Sequence, residues 1–64
     1  MNVDWKLLRE QKEYLVTLTD TIDPMGLTGE VEVLDGIIHF IDAFQDWSVD
    51  QGNATEAEVF GELT

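Results

Sequence analysis

The chain has 64 residues, of which 44% are hydrophobic, and its 14 acidic and three basic residues give a formal net charge of −11. A chain of this length forms one domain, and its apolar and aromatic content excludes an intrinsically disordered acidic tail. The absence of cysteine excludes disulfides and thiolate metal sites, and the single histidine excludes a histidine-rich metal site.

The first predicted element is an amphipathic helix from about residue 3 to about residue 22. Asn2 is suited to cap its start, and Leu8, Leu15 and Leu18 recur at helical spacing on one face. This helix therefore offers one apolar face for packing.

The basic residues of the chain all lie within this helix, and they are Lys6, Arg9 and Lys12. Arg9 precedes Glu13 by four residues, a spacing at which opposite charges pair on a helix surface. Pro24 ends the helix, because the residue before a proline avoids helical backbone angles. The predicted connection to the next element is a loop over residues 23–29.

The segment from about residue 30 to about residue 50 fits two structures. Asp35 and Gly36 are suited to a two-residue hairpin turn between short strands in which valines alternate with acids. A single helix instead places Gly36 in its interior, at a cost of about 1 kcal/mol. The helical wheel favours the helix, because acidic and apolar residues then fall into opposite arcs along the whole segment.

One arc of the predicted second helix is acidic. Its members are Glu32, Asp35, His39, Asp42, Asp46 and Asp50. No Lys or Arg occurs from residue 24 to residue 64, whereas ordinary solvated surfaces mix both signs of charge. The arc is therefore predicted to bind a basic protein surface. Two interpretations compete with this one. The acids either form a solvated face that keeps the protein soluble, or they adapt the protein to high salt.

His39 shares this arc with acids at spacings that could hold a divalent ion weakly. A solvated polar face that happens to include a histidine is the simpler interpretation. We therefore predict no metal site and no cofactor.

The opposite arc is apolar over about half of the helix circumference. It holds Val33, Leu34, Ile37, Phe40, Ile41, Phe44 and Trp47. A stripe of about 100° suffices to pack on one neighbouring helix, so the wider arc predicts additional cover by a second copy of the chain. There are two alternatives. A folded-back C-terminal turn covers the rest of this arc in a compact monomer, or another protein covers it.

The chain continues into a short predicted helix over about residues 56–60. Gly52 suits the position just past the second helix, and Thr55 with Glu58 has the spacing of a capping box. This turn is expected to fold Phe60 back onto the other helices. The predicted fold is all-α: an antiparallel helical hairpin with a short C-terminal helical turn, pairing into a dimeric four-helix bundle.

Several classes of function are disfavoured by the residue types. One serine, one histidine and no glycine-rich phosphate loop leave little for catalysis, so we expect no enzyme activity and no small-molecule substrate. The excess of acids argues against direct contact with nucleic acid or with an anionic membrane surface. No apolar run approaches the roughly 20 residues of a membrane-spanning helix, and a cytoplasmic location is expected.

The sequence thus predicts a non-catalytic protein-binding module. By analogy of size and charge, it would be a small inhibitor or regulator of a nucleic-acid-handling protein, of the kind that viruses and mobile elements encode. The alternative is a self-assembling structural or accessory subunit whose apolar helix face is the functional surface.

Overall fold

The computed structural model describes residues 2–61, which form α-helices joined by short turns. In chain order these are α1 (Trp5–Ile22), a 3-10 turn (Asp23–Met25), α2 (Thr28–Asp50) and α3 (Glu56–Phe60). Within residues 2–61 there is no strand. The all-helical prediction is confirmed, and so is the preference for a helix over a hairpin turn at Gly36.

The start of α1 is set by Asp4, not by Asn2. The Asp4 carboxylate accepts a hydrogen bond from the Leu7 amide at 3.0 Å, which satisfies one of the free N–H groups of the first turn. The helix thus begins two residues after the predicted start at about residue 3, and the predicted cap Asn2 is wrong. The end at Ile22 is as predicted.

The connection between α1 and α2 is shorter than the predicted loop over residues 23–29. The 3-10 turn holds Pro24, and Gly26, with a φ of 77°, then turns the chain in the left-handed region that favours glycine. Only Gly26 and Leu27 separate the turn from α2, which begins at Thr28. A connection this short restricts how α1 and α2 can be oriented relative to each other.

The end of α2 carries a full glycine cap. Gly52 has a φ of 73°, and its amide donates to the Val49 carbonyl at 3.0 Å while the Asn53 amide donates to the Ser48 carbonyl at 3.0 Å. These two bonds are the Schellman arrangement, which satisfies carbonyls that the helix itself leaves free. The predicted role of Gly52 is confirmed.

Replacing Gly36, inside α2, and Gly52, in its C-terminal cap, with alanine is expected to change the stability of the chain in opposite directions. A Cβ added at Gly36 would meet nothing within 4 Å beyond the backbone of its own helix, so Gly36→Ala should stabilise the dilute chain by about 0.5–1 kcal/mol. Gly52→Ala should destabilise it by about 1 kcal/mol, because alanine is strained at that φ. Urea unfolding of both variants measures the two signs. A loss of stability in Gly36→Ala would contradict the open surroundings at that position.

Helices α1 and α2 pack against each other. Near the start of α1, Trp5 stacks on Phe44 with ring centroids 5.5 Å apart, and Phe44 stacks on Trp47 at 6.2 Å. At the far end of the pair, Leu18 and Leu34 line a common groove. One end of the helix pair is therefore packed through aromatic side chains, and the other carries a groove lined by aliphatic side chains.

Helix α3 docks onto the helix pair through Val59, which is fully buried. The Gln45 side-chain amide donates to the Val59 carbonyl at 3.1 Å, and the Arg9 guanidinium donates to the carbonyls of Glu58 and Val59. Phe60, the expected anchor, lies beside Val16 and is 43% exposed, so it is less buried than Val59. Arg9 thus donates its hydrogen bonds to the C-terminal end of α3 and does not pair with Glu13, its predicted partner.

The predicted capping box at the start of α3 is present. The Thr55 hydroxyl accepts from the Glu58 amide at 3.2 Å, and the Glu58 carboxylate accepts from the Thr55 amide at 3.2 Å. A helix of five residues is not stable alone, so this cap and the contacts of Val59 together hold it in place.

Candidate protein-binding faces

Helix α2 presents three faces, and the narrowest of them is buried. Ile41, Gln45 and Ser48 are the buried residues of this helix. Across residues 2–61 the buried hydrophobic side chains are Ile41 and Val59, which is a small core even for a domain of this size. The remaining two faces of α2 are an acidic face and an open apolar face.

The acidic face consists of the five carboxylates predicted from the sequence. They are Glu32, Asp35, Asp42, Asp46 and Asp50. From Glu32 to Asp50 the face extends about 27 Å along the helix axis. All but Asp42 are exposed to solvent, so the structure brings these predicted residues together on one surface.

Asp42 differs from the other four carboxylates because it is paired within the chain. Its carboxylate accepts a hydrogen bond from the Lys12 ammonium group, and the Asp42 side chain is only about half exposed. This pair joins α1 to α2 at the edge of the acidic face. Its free energy is expected to be small, because both groups keep contact with water. We therefore leave Asp42 out of the carboxylates available to a partner.

The basic side chains do not neutralise the rest of the acidic face. Lys12 is held by Asp42, and Arg9 is held by the carbonyls at the end of α3. Lys6 is exposed near the start of α1. The field at the acidic face is therefore set by four exposed carboxylates, which repel one another and favour a cationic counterpart.

His39 is exposed within the same surface. Asp35, Asp42 and Asp46 share its side of the helix. Among the residues described, no three His, Asp or Glu side chains come close enough together to hold a metal ion. The arrangement is a row of separate charges along the helix.

The open apolar face of α2 consists of Val33, Ile37, Phe40 and Trp47. All four side chains are exposed, with Phe40 70% and Val33 63% accessible to solvent. Their spacings of 4, 3 and 7 residues keep them on one side of the helix. Large apolar side chains that are scattered singly need no explanation, but a continuous row indicates a binding surface.

Helix α1 adds apolar side chains to the same side of the helix pair. Leu18 lines a groove together with Val33, which places this edge of α1 beside the open apolar face. Leu7 and Tyr14 precede Leu18 by 11 and 4 residues, a spacing that puts them on the same edge of the helix, and both are exposed. Helix α3 lies on the other side of the pair, where Arg9 and Gln45 hold it.

The groove on this side is apolar and has a volume of about 470 Å³. It is lined by six residues with apolar side chains or none and by one acid: Leu18, Ile22, Leu27, Gly29, Val33, Leu34 and Glu30. It lies at the end of the helix pair opposite to the aromatic stack. A groove of this volume accommodates a large apolar side chain from another molecule.

The remaining residues of the predicted apolar face divide between partial and nearly complete burial. Leu8, Leu15, Leu18, Leu34 and Phe44 are partly buried between the helices, and Ile41 is 8% exposed. Ile37, Phe40 and Trp47 belong to the open apolar face. The buried role of Gln45 has no signal in the sequence, and its side-chain oxygen has no hydrogen-bond partner in the described part of the chain.

Comparison with protein-family models, with curated proteins and with solved structures finds no match for this chain. None of the helices described between residues 2 and 61 is long and apolar enough to cross a membrane. The functional interpretation therefore depends on the two exposed faces of α2.

Proposed function

We propose that this chain is a non-catalytic protein-binding module whose acidic face engages a basic surface of another protein. In this role it is a small inhibitor or regulator, and its partner is a nucleic-acid-handling protein whose cationic site the acidic face occupies. The observation that carries the proposal is the row of exposed carboxylates along α2 that pair with no basic side chain of residues 2–61.

The distribution of charge supports a binding role over a general solubilising role. A surface that serves solubility alone interleaves both signs of charge, whereas here Arg9 is bound to carbonyls of α3 and, within residues 2–61, Lys12 pairs with Asp42 alone. Charge complementarity of this kind raises association rates and selects partners of opposite sign. We place the protein in the cytoplasm, where such partners handle nucleic acid.

The proposal includes the molecule's assembly. We propose that α1 and α2 form an antiparallel hairpin and that two copies pair into a four-helix bundle. Pairing doubles the number of exposed carboxylates, so that the dimer carries a charge field closer to that of a nucleic acid than one copy does. The thin core of a single copy supports this assembly, because short domains without disulfides or metals commonly depend on association.

The test compares capture of proteins from a nuclease-treated lysate of the source cells by the wild type and by two charge variants. The face variant is Glu32→Gln/Asp35→Asn/Asp46→Asn/Asp50→Asn. The control variant removes four exposed acids of α1 and the following turn: Glu10→Gln/Glu13→Gln/Asp20→Asn/Asp23→Asn. We expect the wild type and the control to retain one basic protein, and the face variant to lose about tenfold or more of that binding.

Equal loss in both variants would show that net charge alone governs capture. Retention by the face variant would overturn the proposal and favour the second candidate function, a self-assembling accessory subunit. The specific observation in favour of that second function is the exposed row of Val33, Ile37, Phe40 and Trp47.

A further inference from the structure

We infer that the open apolar face is the dimer interface, and that α2 of one copy lies antiparallel to α2 of the other. In this arrangement Trp47 of each copy enters the apolar groove beside Val33 of the other. The inference rests on the homodimer proposed above and specifies which surfaces meet and in which direction.

The exposed area is sufficient for a stable pair. Aromatic side chains bury about 150–250 Å² each, so the exposed portions of Phe40, Trp47 and Tyr14, with the aliphatic side chains beside them, amount to roughly 650 Å² per copy. Complete burial of two such faces would remove roughly 1,300 Å² from solvent, which lies at the lower end of the range of specific interfaces. A single helix of a partner would cover only part of this two-helix surface.

The size of the side chains changes along α2 and favours the antiparallel direction. Of the four residues of the face, Val33 and Ile37 precede Phe40 and the larger Trp47 follows it. Antiparallel pairing about Phe40 sets Trp47 of one copy against the smaller Val33 of the other at both ends of the interface. Parallel pairing would crowd the large side chains at one end and leave a gap at the other.

The groove fits this direction. With the two-fold axis near Phe40, Trp47 lies as far to one side of the axis as Val33 lies to the other. The indole of one copy therefore meets the groove wall that Val33 forms in the other copy. Trp47 is about half exposed in the single copy, so it offers an apolar ring to fill a groove that is otherwise open to solvent.

The charges permit this pairing. On the wheel of α2 the exposed carboxylates lie about 95–155° from the centre of the open apolar face, with Glu32 and Asp50 the nearest, so they flank the interface and remain accessible to a partner. The two copies still repel each other at long range, because each has a net charge of −11. Added salt screens this repulsion. Dimerisation should therefore strengthen as the salt concentration rises.

The first test measures the mass of the wild type, Phe40→Asp and Val16→Asp by sedimentation equilibrium. Val16 is an exposed apolar residue that lies beside Phe60, on the side of the pair where α3 docks, so it is the matched control. We expect a dimer for the wild type and the control, and a dissociation constant raised on the order of 100-fold or more in Phe40→Asp. Unchanged helical circular dichroism in both variants would show that they fold.

The second test fixes the direction, and it uses the absence of cysteine from the chain. Phe40→Cys should form a disulfide between copies, because the two positions 40 adjoin at the axis. Val33→Cys alone should form none, whereas a mixture of Val33→Cys and Trp47→Cys should form the mixed disulfide.

The outcomes separate this inference from the proposed assembly. A wild type that is monomeric throughout overturns both the homodimer and this interface. A dimer that persists in Phe40→Asp, or that cross-links through Val33→Cys alone, leaves the homodimer standing and overturns the interface or its direction.

Discussion

Replacing Ile41 with alanine is expected to lower the free energy of unfolding by about 2–5 kcal/mol. Ile41 is the most deeply buried apolar residue of α2, and truncation removes its buried methyl groups and leaves a cavity. Small domains have only about 5 kcal/mol of total stability. The variant should therefore be partly unfolded at room temperature, as measured by urea unfolding followed by circular dichroism.

Ile37→Ala provides the matched control for this prediction. It removes the same atoms one helical turn earlier, from a side chain that is 42% exposed. Both changes are best measured in the Phe40→Asp background, in which the open apolar face stays uncovered. Equal costs at the two positions would contradict the placement of the core at Ile41.

Replacing Val59 with aspartate is expected to release α3 from the helix pair. Val59 is fully buried, and an unpaired carboxylate at this site would lose its hydration without a compensating partner, which costs several kcal/mol. Release of α3 avoids that cost and exposes Gln45, whose side-chain amide bonds to the Val59 carbonyl. Hydrogen exchange should show loss of protection over residues 56–60, with α1 and α2 losing less.

Phe60→Asp is the control for the release of α3, because the neighbouring side chain is substantially exposed. This variant should keep the protection of α3. Loss of protection to the same extent in both variants would indicate that α3 is held by general hydrophobicity and not by the burial of Val59.

The features that could be predicted from the sequence are local ones. Gly52 and the pair of Thr55 and Glu58 act through backbone conformation and hydrogen bonds within a few residues, so their spacing alone identifies them. The helix through Gly36 could be predicted because acidic and apolar residues keep a helical phase on both sides of it. Asn2 failed as a cap because Asp4, two residues later, offers the same chemistry.

The features that could not be predicted depend on tertiary contacts. Arg9 reaches carbonyls 49 and 50 residues away, and no spacing rule links positions at that separation. The choice between Val59 and Phe60 as the anchor of α3 depends on how this short helix rotates against Gln45. The same docking decides which side of the helix pair is covered, so the extent of the open apolar face became visible only in the folded chain.

The two exposed faces of α2 have separate roles in the proposed function. The open apolar face joins two copies, and the acidic face remains available because it lies on a different side of the helix. Each role responds differently to salt. Screening weakens attraction between the acidic face and a basic partner, while it relieves repulsion between two copies of the same negatively charged chain.

The most direct test of these separate roles is a salt series on one wild-type preparation, with partner capture and dimer mass measured side by side. We expect capture of the basic partner to fall steeply between low and moderate salt while the dimer fraction stays constant or rises. Capture that is indifferent to salt, or a dimer that dissociates together with the partner, would contradict the assignment of separate roles to the two faces.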